Sequence, residues 1–245
     1  MRIIRFLLAS LALLCFAVPG YTASVQGEDY TLLSPPQPTV SGKKVEVIEF
    51  FAYDCPHCYA LDRPLTEWAK ADADKIVFKR VHVSPNGEPT PQQRLYYTLD
   101  AMGKAEEYQS KVLYAMHVQH VRLNTDDDVI DFMVRSGIDR NKFNEIYNSF
   151  SVQTKVQRSL QMMSSYQIHS WPTIVIDGKY VTSPALAGSR MPSQEENAAN
   201  LLMLKVMDNL VDQLAKTRHC LRRKGAESGL SPLASVPVPN LGNLE

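Results

Sequence analysis

The sequence predicts an α/β domain interrupted by a block of helices, and three observations carry that expectation. An apolar, β-prone run, Val45-Glu46-Val47-Ile48-Glu49-Phe50-Phe51, gives way at Cys55 to helical spacing through Leu61, Leu65, Trp68 and Ala69. A long helical stretch fills residues 90–165. Strand character then returns at Trp171-Pro172-Thr173-Ile174-Val175-Ile176, and Asp177-Gly178 makes a two-residue turn into Lys179-Tyr180-Val181. The order is βαβ, helices, hairpin, helix: one sheet whose halves are separated by an insertion.

Met1-Arg2-Ile3-Ile4-Arg5 is basic, Phe6 to Val18 is apolar, Pro19-Gly20 breaks the run, and Thr22-Ala23-Ser24 are small. That order describes a secretory signal peptide over residues 1–23, cleaved near Ala23 or Ser24. Its apolar stretch of about 13 residues is short of the roughly 20 needed to span a bilayer. Residues 24–44 form a lead-in segment rich in proline (Pro35, Pro36, Pro38). Residues 45–89 are the first part of the α/β domain: a strand at 45–52, the helix opened at Cys55, and a strand at 76–83 ending in the turn His82-Val83-Ser84-Pro85-Asn86-Gly87.

The inserted helical domain spans 90–165. Pro91 starts one helix, Thr125 with Asp128 makes a capping pair, and Gly137 is a C-terminal stop. Asp139 caps the next helix, with Phe143, Ile146, Tyr147 and Phe150 expected on one face. Residues 166–216 complete the α/β domain with the hairpin and a last helix over 195–216, on which Met203, Met207, Leu210 and Leu214 repeat at core spacing. Beyond it, His219-Cys220-Leu221-Arg222-Arg223-Lys224 is basic and the remainder is rich in Ser, Pro, Gly and Asn. Residues 217–245 therefore read as a mostly disordered tail.

With 26 acidic and 26 basic residues, charge offers no reason to expect a nucleic acid or an anionic membrane as partner. Behind the signal stand three cysteines: Cys55, Cys58 and Cys220. A disulfide framework would show more, in even number. One close pair plus a distant single is a redox signature, and Cys220 is read as incidental to it.

Cys55-Pro56-His57-Cys58 falls where a strand hands over to a helix. Free backbone N–H groups and the helix dipole at such a start favour an anion, which turns a thiol into the reactive thiolate. Pro56 at the first helical position loses no hydrogen bond and stiffens the turn. Cys55 is then the nucleophile, and Cys58, one turn inside, resolves a mixed disulfide. His57 can donate to the thiolate or set a positive charge beside it, which stabilises the reduced form and makes the pair an oxidant. Competing uses of C-x-x-C fit poorly: haem attachment wants His where Tyr59 stands, and tetrahedral zinc needs two further ligands. Neither a metal nor a cofactor is expected. Glu49 is an acid in an apolar strand, costly to bury unless paired or protonated, with Lys79 or Arg80 as candidate partners. His82 is read as structural.

Ile48-Glu49-Phe50-Phe51, Cys55-Pro56-His57-Cys58-Tyr59, Trp171-Pro172-Thr173 and the lead-in Asp29-Tyr30-Thr31-Leu32-Leu33-Ser34-Pro35-Pro36-Gln37-Pro38 together resemble the DsbA family of thiol:disulfide interchange proteins, over roughly residues 28–216. The resemblance implies a thioredoxin-like fold with an inserted α-helical domain. It implies a periplasmic oxidase that donates its disulfide to newly exported proteins with reduced cysteines and is reoxidised by a DsbB-like, quinone-coupled membrane oxidase. It also implies a cis-Pro172 facing the cysteines, Trp171 and Thr173 as substrate-binding positions, and Glu49 as an aid to proton movement at Cys58, with a plain structural ion pair as the alternative; a monomer is expected. The chain departs from the family at Ser170-Trp171, where a small or β-branched residue is usual before the proline. Trp171 could face the disulfide or turn away onto the helical domain. Rival functions are a disulfide isomerase or reductase, and a non-catalytic peptide-binding holdase.

Overall fold

The computed structural model describes residues 24–192 and 195–227; the expected signal peptide and the end of the tail lie outside them. From edge to edge the sheet runs β1 (Thr31–Leu32), β5 (Tyr180–Thr182), β4 (Thr173–Ile176), β2 (Val45–Phe51), β3 (Ile76–His82). The central strand β2 pairs in parallel with β3, Val45 opposite Ile76 and Phe51 opposite His82. On its other side β2 pairs antiparallel with β4, Phe50 opposite Thr173. All seven residues of β2 are buried, because helices cover both faces, so apolar residues do not alternate along it and even Glu46 and Glu49 are enclosed.

Helix α1 (Pro56–Ala71) makes the crossover from β2 to β3. On this face Leu61, Leu65, Trp68 and Ala69 pack with Val45, Val47, Ile174 and Ile176 of the sheet. Met203, Met207 and Leu210 of α8 (Glu196–Glu227) close the same core. The inserted helices α2 (Pro91–Ala101), α3 (Ala105–His117), α4 (Asp126–Arg135), α5 (Arg140–Tyr147) and α6 (Phe150–Ser165) cover the other face. Their Leu95, Leu99, Leu113, Phe132, Met133, Phe143 and Val156 share one core with Ile48, Phe50, Phe51 and Tyr53. The insertion is thus packed into the sheet rather than appended to it.

Local sequence accounts for most element ends. Thr90 and Gln93 form a capping box with Pro91 at the first helical position of α2, and Thr125 and Asp128 form the expected box on α4. Gly137 adopts φ +88°, the left-handed conformation that stops α4. Asp139 accepts from the N–H of Lys142 and opens α5. The hairpin turn has Asp177 at φ +55° and Gly178 at φ +63°, the type I′ geometry that matches strand twist. A Cβ on Gly178 would lie 2.1 Å from the carbonyl oxygen of Gln37, where the lead-in segment crosses the turn.

Two expectations need correction. Phe150 does not join Phe143 and Tyr147 on one face: it is 82% exposed and begins α6. Ser149, whose side chain accepts from the N–H of Val152, starts a new helix there and resets the periodicity. The last helix runs to Glu227 rather than residue 216, so its final turns occupy what composition assigned to the tail. Arg218 on this extension pairs with Asp177 of the hairpin turn, and its guanidinium also donates to the Lys44 carbonyl. Short helix α7 (Pro184–Ala187) links β5 to α8.

Candidate active site

After β2 the chain turns through Ala52-Tyr53-Asp54 and delivers Cys55 to the N-cap of α1, with extended backbone (φ −86°, ψ 116°). Its Sγ accepts the backbone N–H of Cys58 at 3.3 Å, the role an oxygen plays in an ordinary N-cap. Pro56 occupies the first helical position, as its spacing predicts. Cys55 and Cys58 stand as free thiols, both largely buried, Cys55 at 7% exposure and Cys58 at 1%.

The two thiols differ sharply in acidity. The Cys55 thiol is lowered to about 7: the hydrogen bond with the Cys58 side chain contributes most, burial opposes it, and the backbone N–H groups of Cys58 and His57 and the His57 charge add to the lowering. Burial pushes the Cys58 thiol far above the ordinary range, and hydrogen bonding to Cys55 and the charges of Cys55 and Glu49 push the same way. One cysteine ionises near neutrality and its neighbour holds its proton.

The His57 ring does not reach for the sulfur. Its Nδ1 lies 2.5 Å from Oε1 of Glu196, in the first turn of α8, and that hydrogen bond is the main cause of its raised pKa. Sequence reasoning missed Glu196, because 139 residues separate the partners and no local pattern links them.

The Trp171–Pro172 bond is cis, as the resemblance implies. The Trp171 carbonyl oxygen accepts from the Cys55 thiol at 3.6 Å. Its half-buried indole packs against the core shared by the sheet and the inserted helices. The Trp171 backbone therefore faces Cys55, while its side chain packs against that shared core and also lines a cavity with His57 and Glu196. Thr173 is buried at the start of β4, and its hydroxyl donates to the Ser170 carbonyl, closing the loop rather than facing outward. His57, Trp171, Pro172, Pro184, Glu196 and Ala199 line a cavity of about 450 Å³ at the cis-Pro172 loop.

Beneath α1, the parallel register sets Glu49 opposite Arg80 and resolves the choice between Lys79 and Arg80. Arg80 Nε donates to Glu49 Oε2 at 2.8 Å, Nη1 to both oxygens of Glu106 at 2.7 and 2.9 Å, and Nη2 to Thr66 at 2.8 Å. Lys79 instead pairs with Glu46 on the other face. Burial pushes the Glu49 carboxyl up to about 7 against the pull of Arg80, with Asp62 and Glu106 adding to the rise. His82 behaves as the structural residue expected. Buried at 1% exposure, it accepts the Tyr53 N–H on Nε2, contacts the Val83 carbonyl through Nδ1, and burial lowers its pKa to about 3. Cys220 is an exposed free thiol on α8. Among the described residues no three His, Cys, Asp or Glu side chains cluster to hold a metal, and no helix is long and apolar enough to cross a membrane.

Residues 46–198 match the family described as DSBA-like thioredoxin domain. The thiol:disulfide interchange protein DsbA of Bordetella parapertussis is 36% identical over 211 residues, 86% of this chain and 96% of that protein. The protein of the same name from Burkholderia cepacia is 39% identical over 192 residues, 77% and 90% of the two chains. The crystal structure of Pseudomonas aeruginosa DsbA superposes with a TM-score of 0.67 at 28% identity, covering 83% of this chain and 97% of that one.

Proposed function

The chain belongs to the DSBA-like thioredoxin domain family, and from that premise we propose how its cysteine pair works and where. It is a thiol:disulfide oxidoreductase, as its relatives are. In the oxidised protein a substrate thiolate attacks Sγ of Cys55, the Cys55–Cys58 bond breaks, and Cys58 leaves with the electron pair. The thiolate of Cys58 takes a proton at once, since burial disfavours its charge. Glu49, a buried carboxyl poised near 7 on the strand beneath, supplies that proton. The substrate's second thiolate then attacks its own sulfur in the mixed disulfide, and Cys55 departs as a thiolate. Two substrate thiols are oxidised and the pair takes up two electrons. Of the two protons released by the substrate thiols, one restores the carboxyl of Glu49 that gave its proton to Cys58, and the other stays in solvent.

The observation that carries this reading is the asymmetry of the pair, with Cys55 lowered to about 7 and Cys58 raised. In the second step Cys55, the thiol of low pKa, departs readily, and its stabilised thiolate favours the reduced protein, so the disulfide is given away. The substrates are exported proteins with reduced cysteines, in the periplasm. A DsbB-like, quinone-coupled membrane oxidase restores the disulfide, and the working form is a monomer. The cis-Pro172 loop and the cavity beside it are the place for an extended substrate segment.

Equilibration with glutathione tests the direction of transfer. A potential at or above the glutathione couple supports the oxidase, one near thioredoxin's identifies a reductase, and a pair that resists reduction leaves a binding module. Cys55→Ser abolishes oxidation of a reduced model substrate, whereas Cys220→Ser retains it.

A further inference from the structure

We propose that Glu196 is a positioning residue for the Cys55–Cys58 pair: it anchors the His57 ring at the mouth of the site and keeps a positive charge beside the Cys55 thiolate. The inference rests on the dithiol oxidase reading above. His57 is the second residue of α1 and its side chain is 70% exposed, so packing does little to hold the ring. The ring is held instead by Glu196, 2.5 Å away and delivered by a different element. Glu196 has a firm base. It sits in the first turn of α8, where free backbone N–H groups favour a carboxylate, and α8 is seated on the sheet through Met203, Met207 and Leu210.

With Cys55 ionised and His57 protonated, the charges would alternate in sign from Cys55 through His57 to Glu196. Cys55 and Glu196 are the charged groups that act on His57, and both favour its protonated form. His57 and Glu196 also line the 450 Å³ cavity with Trp171 and Pro172, so a bound substrate would cover the pair and shield it from water. Without the carboxylate, His57 carries less charge near neutrality, the thiolate loses support, and the protein becomes a weaker oxidant. The carboxylate also repels the thiolate directly, which would act in the opposite sense. The sign of the change is therefore diagnostic.

The test compares wild type, Glu196→Gln and Glu196→Asp, with the same Glu196→Gln change in a His57→Ala background. Glu196→Gln is close to isosteric at a half-exposed helix start, and circular dichroism checks that each variant is folded. Glu196→Gln is expected to shift the equilibrium with glutathione about two- to fivefold towards the oxidised protein, the scale of an exposed ion pair. The pH profile of Cys55 alkylation moves upward with it. Glu196→Asp, which keeps the charge, recovers most of the change, and in the His57→Ala background Glu196→Gln has no such effect. In the oxidised protein, NMR titration of His57 shows its midpoint falling in Glu196→Gln. An unchanged equilibrium, a shift towards a stronger oxidant, or the same loss without His57 overturns the inference. Should wild type fail to oxidise glutathione at all, the oxidase reading fails separately. The His57 titration still judges Glu196, and an unmoved midpoint sinks it.

Discussion

Cys55 and Cys58 differ by three positions in sequence and by a large step in acidity, because the Cys58 side chain and the helix-start N–H groups hydrogen-bond the Cys55 sulfur, while Cys58 is sealed beneath. Glu49 shows the same logic in reverse. Its carboxyl is opposite Arg80, yet full burial still raises it from 4.5 to about 7. Between these values the native state binds more protons than the unfolded chain, so the stability Glu49 contributes is full below about 4.5 and lost as pH rises through about 7. Glu49→Gln removes this slope, a change on the order of 3 kcal/mol across the interval. His82, lowered to about 3, adds an opposite slope below its ordinary value of 6.5, but it is present in both proteins and cancels in the comparison. Denaturant unfolding of wild type and Glu49→Gln at pH 4.5 and 7.5 checks this. Parallel stabilities at the two pH values would contradict it.

At the scale of elements, the chain announces its own boundaries wherever a cap is local. Thr125 and Asp128 were readable as a box three residues apart, and both reciprocal hydrogen bonds form. Thr125→Ala is expected to cost about 1 kcal/mol, measured as a lower midpoint in thermal or urea unfolding with the activity of the folded protein unchanged. Periodicity alone misleads at Phe150. Phe150 continued the apolar spacing of α5, but Ser149 had already ended that helix by capping the next. Composition places the end of α8 too early: the remainder of the chain is rich in Ser, Pro, Gly and Asn, but residues 217–227 are mostly Arg, Lys, Leu, Ala and Glu, which favour a helix despite Gly225. Contacts from Arg218 to Asp177 and to the Lys44 carbonyl help hold the extension.

For the molecule as a whole, two cores share one sheet. Trp68 belongs to the core between the sheet, α1 and α8, and Trp171 packs on the core between the sheet and the inserted helices. Because β2 lines both cores, neither can be lost without exposing the other, and unfolding is expected to be one cooperative transition. Trp68→Phe and Trp171→Phe leave one fluorescent reporter each, and the two urea midpoints should agree once each variant's own stability by circular dichroism is taken into account. Separate midpoints would make the insertion an independent unit.

The reactive pair at a strand-to-helix junction, the caps and the hairpin turn are legible along the chain, since each depends on residues within a few positions of one another. The Glu49–Arg80 pair needed the parallel register, the Trp171 carbonyl needed the loop brought to Cys55 from 116 residues away, and the Glu196–His57 pair spans 139. Such contacts form only when packing has placed the elements, because side chains so far apart in sequence leave no shared periodicity. Residues 55–58 thus specify the chemistry, and the surrounding fold sets how acidic the thiolate is and what a substrate meets beside it.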